Sequence, residues 1–206
     1  MTSRVVRPVR RGIVATVRVP GSKSIANRAL VCAALADGAS TVGGVPDGDD
    51  SAALVEGLAV LGVAVDRDGP SVRVEPPGDR WQGGTVDARL AGTTSRFLTA
   101  VAALGRSTTV VDGAPPLRSR PFGPLHDALT ALGAEVEPLD RPGHLPVAVR
   151  GPAAGGRVEM RGDVSSKFVT ALMLIAPALP AGLQLELTSP MVSVPYVEMT
   201  AAVMDE

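Results

Sequence analysis

Cysteine occurs once and histidine twice in this chain of 206 residues, which excludes an internal disulfide and any multi-cysteine zinc site. No metal centre and no cofactor are expected. Cys32 sits in an Ala/Leu-rich stretch and reads as a small buried hydrophobe. His126 and His144 have no partner pattern and are expected at the surface. Aromatics are scarce, with three Phe, one Trp and one Tyr, so there is no stacking platform for bases. The formal net charge of −1 gives no global basic field to attract nucleic acid or an anionic membrane. No apolar run approaches the ~18 residues of a membrane span, and the basic N-terminus leads into strand-like alternation instead of a signal core. A cytoplasmic protein with a small ligand is the expectation, and any anion site must be a local cluster.

What is present is a 45% hydrophobic composition with 23 Gly and 18 Pro, which predicts a core of Ala, Val and Leu broken by frequent turns. Trp81, in a Pro/Gly/Asp-rich link, reads as a packing anchor. The most informative stretch is Val19-Pro20-Gly21-Ser22-Lys23-Ser24, where an apolar strand breaks and a helix begins. A helix start leaves backbone N–H groups unpaired and carries partial positive charge. Ser22 or Ser24 can cap it, Gly21 allows close approach of a ligand, and Lys23 and Arg28 add donors suited to phosphate or carboxylate. The alternative is an ordinary capped surface helix; Asn27 and Arg28 within the helix favour function. A nucleotide P-loop is disfavoured, because its first glycine is missing. Asp47, Asp49 and Asp50 resemble a metal cluster but are read as acidic residues at the next helix start.

The element pattern repeats. Strands are expected over 4–10, 12–19, 40–42, 63–65 and 71–74, the last two joined by a turn at Asp66-Arg67-Asp68-Gly69-Pro70, with helices over 22–35 and 51–61. The same order returns with a strand at 85–87, a helix from Gly92, a strand at 108–111, a helix over 125–132 and strands at 135–137 and 145–149. A third copy has a strand at 157–160, a helix from Ser165, a strand at 183–187 and a helix near Pro195-Tyr196. Gly21 and Gly92 stand 71 residues apart, as do Leu61 and Leu132. The prediction is an α/β fold built as a pseudo-threefold repeat of βαβαββ units, over about 20–78, 79–151 and 152–206, the third unfinished. Related by rotation, the helix starts at Ser22-Lys23-Ser24, Gly92-Thr93-Thr94 and Ser165-Ser166-Lys167 converge on one face and suit a polyanionic substrate.

Five motifs in this order resemble one family: Gly21-Ser22-Lys23-Ser24 with Asn27-Arg28, Leu90-Ala91-Gly92-Thr93 with Arg96, Arg118-Ser119-Arg120-Pro121, Gly162-Asp163-Val164-Ser165-Ser166 and Ser193-Val194-Pro195-Tyr196. They are similar to those of the 5-enolpyruvylshikimate-3-phosphate synthases, or 3-phosphoshikimate 1-carboxyvinyltransferases. The resemblance implies a two-lobed transferase, monomeric, with helices inside and sheets outside in each lobe. Residues 1–19 would be opening strands of the second lobe and 20–206 most of the N-terminal lobe. It implies that Lys23, Ser24, Arg28, Ser165, Ser166, Lys167 and Ser193 hold shikimate 3-phosphate, with Tyr196 beside its ring. Gly92, Arg120 and Lys167 would meet phosphoenolpyruvate, and Lys23, the catalytic candidate, would be shared between both substrates. No metal takes part. In the family the acid and base come from the other lobe, so residues 1–206 alone are expected to bind weakly and not to turn over.

Lys167 stands where the family has glutamine and Leu90 where many members have asparagine, which bears on affinity more than on substrate identity. Retained Gly92 implies sensitivity to glyphosate. The sibling UDP-N-acetylglucosamine enolpyruvyl transferases expect a Lys-Asn pair and a loop cysteine, whereas this chain has Lys23-Ser24 and a helical Cys32. A non-catalytic anion-binding repeat domain is the other alternative. Arg96 is open between a helix ion pair and ligand contact, and Arg118 is equally open.

Overall fold

The computed structural model describes residues 4, 5, 8, 9 and 12–206. The first unit contains α1 (Lys23–Leu35), β1 (Ser40–Val42), α2 (Asp49–Val60), β2 (Ala64–Asp68) and β3 (Ser71–Glu75). The second contains β4 (Thr85–Asp87), α3 (Gly92–Ala102), β5 (Thr109–Asp112), the short α4 (Pro115–Arg118), α5 (Gly123–Ala131), β6 (Glu135–Pro138) and β7 (Val147–Arg150). The third contains β8 (Gly156–Met160), α6 (Ser166–Ile175), a 3-10 turn at Ala176–Ala178, β9 (Leu183–Leu187) and α7 (Val194–Met204).

The two larger sheets share a strand order. The first sheet runs β1-β3-β2 and the second β4-β5-β7-β6, so β1, β3 and β2 occupy the places of β5, β7 and β6. β4 pairs parallel to β5, and β8 pairs parallel to β9, each across a helix that returns the chain to the same edge. Strands β2, β3 and β8 alternate exposed and covered residues, as in Ser71–Glu75, and so turn one face to solvent. α3 and α6 are buried along nearly their whole length. Helices therefore lie inside and sheets outside.

The core is Leu, Val and Ala with Phe97, Phe122 and Phe168, all three fully buried. Burying each such side chain contributes about 2 kcal/mol. Trp81 packs against this core as expected, and half-buried Cys32 does too. Burial pushes the Cys32 thiol up, away from the reactive thiolate. Among the described residues no helix is long and apolar enough to cross a membrane.

Three expectations need correction. The strand expected over 12–19 is extended but unpaired; of the one over 4–10, residues 4, 5, 8 and 9 are in no strand and residues 6, 7 and 10 lie outside the described residues. β1 pairs only with β3 among the described residues, so 12–19 has no ladder to join and Ile13, Val14, Val17 and Val19 stand 70–103% exposed. The turn after β2 is shorter than expected, since pairing continues to Asp68↔Ser71 and leaves only Gly69-Pro70 between the strands. Asn27 does not face the anion site. It is fully buried; its Nδ2 donates to Thr94 Oγ1 (3.3 Å) and its Oδ1 accepts from Ser51 Oγ (3.3 Å), while Thr94 Oγ1 donates to the Asp50 carbonyl (2.8 Å). This network ties α1, α2 and α3 together behind the helix starts.

Candidate anion-binding cleft

Gly21 and Gly44 bring the chain into position for α1. A Cβ on Gly21 would lie 1.8 Å from the Gly44 carbonyl oxygen, so only glycine allows the segment before α1 to cross the turn after β1. Ser22 occupies the N-cap of α1, yet its hydroxyl makes no capping bond. α3, with Ala91 at its N-cap, and α7, with Ser193, also start without a side-chain cap. Only α6 is capped, by Ser165 Oγ accepting from the Lys167 amide at 3.3 Å. Three helix starts thus leave their N–H groups available to an anion.

These starts meet. A cleft of about 460 Å³ is lined by Lys23, Ser24 and Arg28 of α1, Thr93 of α3, residues 164–167 at the start of α6, and Val192, Ser193 and Tyr196 at the start of α7. Ser193 has φ 57° and ψ 43°, a left-handed conformation uncommon for serine that turns the chain into α7. A larger hollow of about 1120 Å³ borders Leu35, Trp81, Leu104 and Ala178, beyond the C-terminal ends of α1, α3 and α6. Helix dipoles are negative there, so its polarity is wrong for phosphate.

The cleft is cationic. Lys23 Nζ donates to Asp50 Oδ2 at 2.7 Å, but the two side chains are 54% and 26% exposed. Such a pair contributes under about 1 kcal/mol, and Lys23 can turn to an anion at little cost. Arg28 is 2% exposed, between the rings of Phe97 (5.6 Å) and Tyr196 (5.9 Å). Burial lowers its pKa, and the neighbouring Tyr196 and Cys32 oppose that shift. Lys167 is also lowered, first by burial and then by the charges of Arg96, Arg120, Lys23 and Arg28. Among the described residues no carboxylate lines the cleft.

Gly92 and Arg120 lie beside the cleft without lining it. Arg120 Nη1 would be 2.7 Å from a Cβ on Gly92, so the guanidinium rests on the bare backbone at the start of α3. Leu90 is 55% exposed and Arg118 is held by Asp112, its Nε at 2.8 Å and Nη2 at 2.5 Å from the carboxylate. Asp49 and Asp50 begin α2, as expected of acidic residues at a helix start. Short α4 falls between the strand expected at 108–111 and the helix expected over 125–132; Pro115-Pro116 occupy its first turn, and Leu117 is buried.

Arg96 is neither paired with an acid nor in the cleft lining. Its Nη1 donates to Gly92 O (2.6 Å) and its Nη2 to Pro121 O (2.9 Å), with Phe122 at 4.2 Å and Phe168 at 5.2 Å from its Cζ. It clamps the start of α3 to the segment carrying Arg120. Burial and then Arg120 pull its pKa to about 10, leaving it charged at neutral pH.

His126 corrects another expectation, being 4% exposed, with its ring 5.9 Å from Phe122. Neither ring nitrogen has a partner among the described residues, so the imidazole is held neutral. Burial first, then His144 and Arg96, lower its pKa to about 4. The unfolded chain takes up this proton near pH 6.5 and the folded chain only near pH 4, so stability is full above 6.5 and falls as the pH drops through that window. The loss should reach roughly 3 kcal/mol. Denaturant unfolding at pH 7 and pH 4.5 should show a smaller acid loss for His126→Leu than for the parent chain; equal losses would contradict this reading.

The fold resembles that of solved enolpyruvyl transferases. It superposes on the EPSP synthase of Acinetobacter baumannii with TM-score 0.75 at 22% identity, covering 88% of this chain and 42% of that one. The enolpyruvyl transferase NikO of Streptomyces tendae gives TM-score 0.53 at 22% identity, covering 79% of this chain and 38% of that chain. The family model described as EPSP synthase (3-phosphoshikimate 1-carboxyvinyltransferase) matches residues 9–206, and the chain belongs to that family. A 3-phosphoshikimate 1-carboxyvinyltransferase of Citrobacter koseri is 37% identical over 99% of this chain, and one of Halobacterium salinarum is 40% identical over 91%. The chain covers 49% and 44% of these two relatives, and so spans about half the length of the curated proteins it matches.

Proposed function

We propose that the cleft is the shikimate 3-phosphate half-site of a carboxyvinyl transferase. The observation that carries this is the meeting of four helix N-termini, three of them uncapped, around a cationic cleft with no carboxylate in its lining among the described residues. Lys23, Ser24 and Arg28 face Ser165, Ser166, Lys167 and Ser193 across it, close enough to hold one phosphorylated, carboxylated ring, with Tyr196 alongside. Gly92 and Arg120 take phosphoenolpyruvate at the neighbouring α3 start, and Lys23 serves both substrates. Lys167 keeps a donor in place of the family's glutamine and adds positive charge beside the anions.

In the reaction the 5-hydroxyl of shikimate 3-phosphate gives up its proton to a base and its oxygen bonds to C2 of phosphoenolpyruvate while the methylene carbon gains a proton from an acid. Loss of that carbon's proton and cleavage of the C2–O bond then release inorganic phosphate and the enolpyruvyl ether. This chain's residues bind, orient and neutralise charge, which positioned donors in a water-poor site do without a metal. Asp50 is bonded to Lys23, and the proton-moving groups are taken to come from the second lobe, as the family resemblance implies. Unpaired, exposed residues 12–19 fit a role as opening strands of a second lobe. Residues 1–206 alone therefore bind without turnover.

Titrating shikimate 3-phosphate with and without phosphoenolpyruvate, alongside a phosphate-release assay, tests this. Tighter binding of each ligand in the presence of the other, without phosphate release, is expected; independent binding would favour a non-catalytic anion module. Gly92→Ala is expected to push Arg120 off the α3 start and weaken phosphoenolpyruvate or glyphosate binding by about tenfold, with shikimate 3-phosphate affinity little changed. Unchanged glyphosate binding in this variant would count against the assignment of Gly92.

A further inference from the structure

Arg28 enters the cleft from α1, but the partner that fixes its orientation comes from the far end of the chain. Its Nε donates to Thr200 Oγ1 at 2.7 Å, its Nη1 to Ser24 O at 2.7 Å and its Nη2 to Tyr196 O at 3.2 Å. Thr200 is fully buried and is the only buried residue of α7. Its hydroxyl donates to the Tyr196 carbonyl at 2.7 Å and lies 3.3 Å from the buried Thr170 hydroxyl of α6.

The Phe97 and Tyr196 rings limit tilt of the guanidinium plane, while rotation within that plane is set by the bond from Nε. A guanidinium has five N–H groups. Three are engaged by protein oxygens, and the two that remain must point into the cleft if they are to meet an anion. The same hydroxyl ties α7, which carries Ser193 and Tyr196, to α1 and α6.

Resting on the shikimate 3-phosphate reading of the cleft, we propose that Thr200 is a positioning residue: its hydroxyl aims the free N–H groups of Arg28 at the bound anion. It touches no substrate and acts only through Arg28. A side chain of the same shape without the hydroxyl leaves the buried Nε–H unpaired and lets the guanidinium swing away.

The test uses the full 206-residue chain with Thr200→Val, Thr200→Ser, Arg28→Met and the pair Arg28→Met with Thr200→Val. Two readouts are taken: the dissociation constant for shikimate 3-phosphate, and hydrogen-exchange protection of the Arg28 Nε–H resonance without ligand. Thr200→Val should weaken binding by about tenfold and abolish the protection, and Thr200→Ser should restore both. In the Arg28→Met background, Thr200→Val should have no further effect on binding. Parent-like affinity in Thr200→Val, or an equal loss on top of Arg28→Met, would overturn the proposal, the latter by showing that Thr200 acts through the packing of α7. Should the valine variant unfold, Thr200→Ala, which leaves space instead of filling it, repeats the test. If the parent chain does not bind shikimate 3-phosphate, the reading of the cleft fails; the ligand-free readout still decides the positioning, since protection that survives in Thr200→Val overturns it and protection that is lost supports it.

Discussion

Arg28→Met should weaken shikimate 3-phosphate binding by about 100-fold while changing stability by under about 2 kcal/mol. The split follows from where the guanidinium sits. Burial lowers its pKa, which means that the folded chain bears part of the cost of keeping the charge away from water. Methionine removes that cost and fills most of the space between Phe97 and Tyr196, offsetting the loss of the bonds to Thr200, Ser24 and Tyr196. Nothing offsets the loss at the ligand, because Arg28 is the buried cation among the described residues of the cleft lining, Lys23 and Lys167 being exposed. Calorimetric titration and thermal unfolding of the same preparations check both halves of the statement. Parent-like binding would remove Arg28 from the site.

Gly21→Ala should have the largest effect on folding. The added Cβ would sit 1.8 Å from Gly44 O and 3.0 Å from Gly44 C, and both of these atoms are backbone. No rotamer change relieves the clash; either the start of α1 or the turn after β1 must move. Gly44 itself has φ +71°, a conformation that gives the turn little room to adjust. A loss of about 3 kcal/mol or more is expected, lowering the melting temperature by roughly 6–12 °C in a chain of this size. Alanine at Gly48, which has open space around the Cβ position, is the control. Equal melting temperatures for the Gly21→Ala chain and its parent would show that the crossing is looser than described.

The sequence was most legible where local chemistry and burial agree. β1, β4 and β9 fall on the residues expected from apolar alternation and turn signals, and α1, α3 and α6 begin within a residue of their Gly, Ser or Thr punctuation. The lining of the cleft was legible for the same reason, since its residues lie at those helix starts, and the motif resemblance added Ser193 and Tyr196. What was missed depends on partners distant in sequence. Asn27 looks like a ligand donor because polar residues in helix interiors are uncommon, yet it pins three helices through Thr94 and Ser51. His126 looked peripheral because its pocket is made by Phe122, beside Arg96, and no pattern on its own helix reveals that. Residues 12–19 alternate as a strand should, but pairing is a property of two segments, and none of the described residues lies beside them as a partner.

The central claim is that the meeting helix starts form a shikimate 3-phosphate site. The most direct measurement is amide chemical-shift mapping of the 206-residue chain during titration with shikimate 3-phosphate. Saturable shifts at Lys23, Ser24, Ser165, Ser166, Lys167 and Ser193, reduced in Arg28→Met, are the predicted result. No saturable shift at these residues, or shifts centred instead on the hollow around Trp81 and Leu104, would contradict it.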